Sequence, residues 1–80
     1  MTRLPRDLSA RQLAQALRRL GYEITRQSGS HTRLTTTRGG EHHLTIPAQG
    51  SLKVGTLSAI LRDVAAHHGL SRDDLLRELF

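Results

Sequence analysis

His31 follows the turn-forming run Ser28-Gly29-Ser30 and opens a Thr-rich segment, His31–Thr37, of strong β character. Strand alternation puts it in register with Arg33, Thr35 and Thr37, on the face opposite Leu34. An imidazole among arginines and hydroxyls is suited to proton transfer beside a phosphate. It titrates near neutrality, so it can take the proton of a ribose 2′-hydroxyl while cationic and amide donors steady the charge that develops on the phosphate. Arg26 and Arg33 are candidate cations, and the Gly29-Ser30 turn offers backbone N–H groups. Spacing by itself fits a plainer reading at least as well, an exposed strand histidine making local hydrogen bonds.

The other histidines invite competing chemistry. His42 and His43 suggest a metal site or a two-histidine nuclease, but register argues against both. Leu34 and Leu44 both belong inward, which pairs them through a three-residue Arg38-Gly39-Gly40 loop. His43 then stands opposite Thr35, four residues or about 13 Å along the strand from His31. The same pairing sets Pro47 opposite His31 and brings Gln49, which cannot titrate, into its neighbourhood. His67 and His68 fall at the end of a helix, where a cation suits the dipole. Ser30 beside His31 has no orienting carboxylate in sight, so serine-hydrolase chemistry is not expected. With no cysteine in the chain, thiolate catalysis, disulfides and zinc–thiolate sites are all excluded.

The elements that must position these residues are legible from periodicity. Leu4-Pro5 belongs to an extended lead-in over residues 1–8. Ser9 with Gln12 forms a capping box, Leu13, Leu17 and Leu20 make one helical stripe, and Gly21 stops it. Tyr22–Gln27 alternates, with Tyr22 and Ile24 inward, and His42–Ile46 places Leu44 and Ile46 inward before Pro47. Gly55 or Thr56 is expected to cap a second helix with the stripe Leu57, Ile60, Leu61, Val64, closed by Gly69. Ser71 caps a third helix over residues 71–80, whose apolar face is Leu75, Leu76, Leu79 and Phe80. That face either closes the core or docks a partner. The order α-β-β-β-α plus a C-terminal helix is an α+β sandwich, with helices on one face of an antiparallel sheet.

At 80 residues there is room for one domain and a thin core. The net charge of +5 is distributed unevenly. Residues 1–40 hold eight arginines against Asp7 and Glu23, whereas residues 41–80 hold Lys53 and three arginines against five carboxylates. The basic front half points to an anionic partner, and nucleic acid fits it best. Tyr22 and Phe80 are the only aromatics, so recognition rests on backbone charge and shape, with no stacking platform for bases. No apolar run is long enough to span a bilayer and no signal-peptide core is present, so a soluble cytoplasmic protein is expected.

Several of these fragments, in this order, resemble the HicA-type mRNA interferase toxins of prokaryotic toxin–antitoxin pairs. They are Leu20-Gly21-Tyr22, Gly29-Ser30-His31, Thr45-Ile46-Pro47, Gly55-Thr56-Leu57 and Ile60-Leu61, and the likeness extends over roughly residues 9–80. The resemblance implies a double-stranded-RNA-binding-domain-like fold and cleavage of mRNA without a metal or cofactor. It implies that His31 is the catalytic residue, and that a cognate HicB-type antitoxin holds the toxin inactive. Many members carry a second histidine two residues after the proline, where this chain has Gln49. On these grounds the RNA-contacting set is Arg26, Gly29, Ser30, Arg33, Gln49 and Lys53. The competing expectations are a double-stranded-RNA- or tRNA-binding module without catalysis and, more weakly, a DNA-binding regulator using the second helix.

Overall fold

The computed structural model describes residues 7–48 and 50–80, so most of the lead-in over residues 1–8, and Gln49, lie outside the described residues. Ser9 caps α1 (Ala10–Leu17) with a closed box. Its hydroxyl accepts from the Gln12 N–H at 3.0 Å, and the Gln12 side-chain oxygen accepts from the Ser9 N–H at 2.9 Å. One 3₁₀ turn, Arg18–Leu20, tightens the end, and Leu13, Leu17 and Leu20 are buried as their spacing requires.

Gly21 then reverses the chain with φ of +85°. A Cβ there would sit 2.8 Å from Thr36 Oγ1. That hydroxyl cannot step aside: it donates to the Leu20 carbonyl at 2.9 Å and accepts from the Arg38 N–H at 3.1 Å. Left-handed backbone costs an L-residue about 1–2 kcal/mol before the clash is added. Gly21→Ala is therefore expected to lower the melting temperature by about 10 °C in a domain of this size, as read by circular dichroism.

The sheet runs β1 (Glu23–Ser28), β2 (His31–Thr36), β3 (His42–Pro47), all antiparallel in that order. Leu34 pairs with Leu44 and His31 with Pro47, as the sequence predicts. The β2–β3 connection is longer than the expected three residues. Thr36–His42 is the last pair, so Thr37–Glu41 forms the loop, with Thr36 Oγ1 and the Gly40 N–H to Thr37 carbonyl bond closing it.

Two features of β1 depart from simple alternation. A bulge falls between Ile24, paired with Leu34, and Arg26, paired with Arg33. It turns Thr25 and Arg26 both toward the outer face, where unbroken alternation would have put Arg26 on the side of Ile24. Ile24 keeps to the inner side but is 57% exposed, because a groove separates α1 from this edge strand.

α2 (Val54–His68) starts earlier than expected. Its N-cap is Lys53, which makes no side-chain cap, and neither Gly55 nor Thr56 serves as one. Leu57, Ile60, Leu61 and Val64 face the core as predicted, and Gly69 ends the helix. α3 (Arg72–Leu79) is capped by the Ser71 hydroxyl, which accepts from the Asp74 N–H at 3.1 Å. It buries Leu75, Leu76 and Leu79, leaves Phe80 46% exposed, and has Leu70 packed half-buried beside it. α1 lies toward β1 and α2 toward β3, and one continuous core joins all three helices to the inner sheet face. The architecture is α+β, α-β-β-β-α with an additional C-terminal helix. No described helix is long and apolar enough to cross a membrane.

Candidate active site on the open sheet face

Because the helices cover only one side of the sheet, the other side is a polar surface built by cross-strand pairs. Its rows are Ser28–His31–Pro47, Arg26–Arg33–Thr45, and Glu23–Thr35–His43. The two-residue Gly29-Ser30 turn joins β1 to β2, with Gly29 at φ +52° and Ser30 on the ordinary side of the map. That pattern is the glycine-first hairpin turn whose twist matches the strands. It delivers His31 to the very start of β2, exposed, at the end of the sheet.

His31 Nδ1 lies 3.3 Å from Ser30 Oγ, which fixes one ring nitrogen locally. Nε2 takes no hydrogen bond from any described residue and faces solvent with the ring. Arg33 stands two residues along the same face, and the bulge sets Arg26 directly beside it, so two arginines occupy the row next to the imidazole's. The Ala48 N–H donates to the Ser30 carbonyl at 2.8 Å and ties the segment after β3 to the turn.

Pairing thus gathers Arg26, Gly29, Ser30, His31 and Arg33 at one end of the open face. Lys53 lies outside this strand pairing, at the N-cap of α2. The loop carrying it runs back along the start of α1, where the Leu52 N–H bonds the Leu8 carbonyl and the Ala10 N–H bonds the Gly50 carbonyl. Gln49 lies outside the described residues.

His43 occupies the far row, and its ring is engaged. Nδ1 bonds Thr35 Oγ1 at 2.8 Å, Thr35 Oγ1 bonds Thr25 Oγ1 at 2.9 Å, and Nε2 pairs with Glu41 at 3.3 Å. His43 is opposite Thr35, as the register argument requires, and is no partner for His31.

The remaining histidines form a cluster that sequence reasoning missed. Tyr22, buried by the helix stop at Gly21, bonds His42 Nδ1 at 2.7 Å and His68 Nε2 at 3.1 Å through its hydroxyl. His42 Nε2 reaches Asp63 at 3.3 Å. His67 stacks on His42 with ring centres 4.3 Å apart, and its Nε2–H donates to the Arg38 and Gly40 carbonyls at 3.1 Å each. One neutral set of tautomers satisfies the chain: His68 donates to Tyr22, Tyr22 donates to His42, and His42 donates to Asp63. Burial, with help from the Asp63 carboxylate, pushes the Tyr22 hydroxyl up to about 12, so it neither ionises nor attacks. The cluster fastens the end of α2 to β3 and its loop. Among the described residues, no group of three or more His, Asp or Glu side chains is placed to hold a metal ion.

His68 also corrects the expectation that the helix dipole favours a cation there. Burial lowers its pKa below the ordinary 6.5, and His67, His42 and Arg38 lower it further. The sign follows directly. Above 6.5 neither folded nor unfolded chain carries this proton, and below it the unfolded chain takes it up more readily. Stability should therefore fall as pH drops from about 6.5. Urea midpoints that decrease from pH 7.5 to pH 5, with a shallower decrease in His68→Gln, are the expected result.

Residues 10–65, from α1 through the sheet to Ala65 in α2, match the model of a family described as HicA toxin of bacterial toxin–antitoxin. The match takes in well over half of the chain, and the chain belongs to that family of toxin–antitoxin toxins. Compared with curated proteins and with solved structures, it matches none.

Proposed function

We propose that this chain is a single-domain endoribonuclease toxin that cleaves mRNA without a metal or cofactor. His31 takes the proton of a 2′-hydroxyl, and the freed 2′-oxygen attacks the adjacent phosphorus. A cyclic phosphate forms, the bond to the 5′-oxygen breaks, and the departing oxygen receives a proton from the same imidazole or from water. Arg26 and Arg33 hold the phosphate, the Gly29-Ser30 turn offers N–H donors to it, and Lys53 and Gln49 contact RNA farther along. The partner that restrains it is a HicB-type antitoxin, and both act in the cytoplasm.

The observation that carries this reading is the placement of one imidazole, exposed and with Nε2 open, at the end of a sheet face bearing Arg26 and Arg33. Growth arrest on induced expression of the wild type, absent for His31→Ala at equal protein level, is the expected result. A His31→Ala protein that still arrests growth and degrades RNA would end the proposal.

A further inference from the structure

The groove that leaves Ile24 exposed has a volume of about 800 Å³. Its helix wall carries Arg11, Gln15 and Arg18, and its sheet wall carries Ile24 and Gln27. At one end it is lined by Pro47 and Ala48. That end is the His31 end: Pro47 pairs with His31, and the Ala48 N–H bonds the Ser30 carbonyl.

β1 is the edge of the sheet, so no described strand blocks passage round it. Gln27 and Ser28 are successive residues on opposite faces. Gln27 lines the groove, and Ser28 is opposite His31 on the open face. A polymer crossing the edge at this point passes from the histidine into the groove within one strand position.

We propose that the groove between α1 and β1 is the channel that carries a single RNA strand away from His31, with Arg11 and Arg18 each holding one of its phosphates. The inference rests on the endoribonuclease reading and extends it to the form of the substrate. Arg11 and Arg18 are seven residues apart, nearly two full turns, so both project from one side of α1 about 10 Å apart. That spacing serves two separate phosphates of one strand.

The groove has room for a nucleotide or two and is far too small for a duplex. Glutamines on both walls can meet base edges, and Ile24 gives a base a flat apolar contact. This mostly polar lining suits a polynucleotide better than a protein helix, which would need a continuous apolar floor.

The test uses His31→Ala protein, so that the RNA stays whole, and a twelve-nucleotide single-stranded RNA of mixed sequence. Adding Arg11→Gln and Arg18→Gln should weaken binding on the order of tenfold or more at 0.1 M salt. The slope of log K against log salt should become shallower by about 1.4. Arg72→Gln with Arg77→Gln on α3 is the control and should change neither, with melting temperatures checked for every variant.

Unchanged affinity and slope in the Arg11/Arg18 pair would overturn the channel. So would equal losses in the α3 control, or loss of binding to an acidic protein partner with RNA binding intact. Failure of the reading beneath it looks different: wild-type protein then leaves RNA uncut, or His31→Ala cuts it as well as wild type does.

Discussion

Removing residues 71–80 is expected to abolish cooperative unfolding. α3 sends Leu75, Leu76 and Leu79 into the common core, each with at most a few per cent of its surface exposed. Truncating one such leucine to alanine typically costs about 2–5 kcal/mol, and the deletion removes three together. A small domain has about 5–15 kcal/mol of total stability, and one of 80 residues belongs near the low end. The loss thus matches or exceeds what is available. The helix is also tied to the 3₁₀ turn that follows α1, where the Arg19 guanidinium donates to the Glu78 carbonyl at 3.3 Å.

Circular dichroism of the chain ending at Leu70 should show no melting transition. Phe80→Ala, altering a side chain left 46% exposed, should melt within a few degrees of wild type. A truncated protein with unchanged melting but lost antitoxin binding would instead make α3 a docking element. The family match stops at residue 65, yet the core is not closed without the helix beyond it.

The second large effect is catalytic. A positioned general acid or base contributes roughly 10²–10⁴-fold to such a reaction, so kcat for His31→Ala should fall by about that factor. KM should change only a few-fold, since Arg26 and Arg33 remain to hold the phosphate. His31→Gln keeps a similar shape and hydrogen bonding but cannot titrate, and it should be as poor as alanine. His43→Ala should retain most of the activity, because His43 is bound to Thr35 and Glu41 in the far row of the sheet. Equal losses from His31→Ala and His43→Ala would point to a two-histidine mechanism that this sheet register does not support.

Much of the frame was legible because single residues left few alternatives. Leu34 and Leu44 must both be buried, and that parity alone sets the β2–β3 register, with Pro47 across from His31. Ser9 with Gln12, Gly21, Gly69 and Ser71 mark helix ends by capping chemistry that depends only on neighbours. The α2 start was misplaced because Lys53 caps with backbone alone, leaving no side-chain signal to read.

The candidate site was only half legible. His31 and Arg33 follow from alternation, but the bulge at Thr25 that brings Arg26 to their face has no glycine or proline to announce it. Ile24 looked like a core residue because its pattern is apolar and inward. Whether a helix covers an edge strand depends on tertiary placement, which periodicity does not encode. The Tyr22 cluster was invisible for the same reason. It joins Tyr22, just before β1, with His42 of β3 and residues 63, 67 and 68 of α2. The adjacent pairs His42-His43 and His67-His68 were its only trace, and in each pair the two rings have different partners.

The central claim, that His31 drives RNA cleavage through the 2′-hydroxyl without a metal, has a direct measurement. Purified wild-type protein is incubated in EDTA with an RNA it cuts and with the same strand carrying a single 2′-deoxy sugar at the cut position. Undiminished cleavage of the RNA, leaving a 5′-hydroxyl end, with no cleavage at the deoxy position, is the expected result. Cutting at the deoxy position, or loss of RNA cleavage in EDTA, would contradict it.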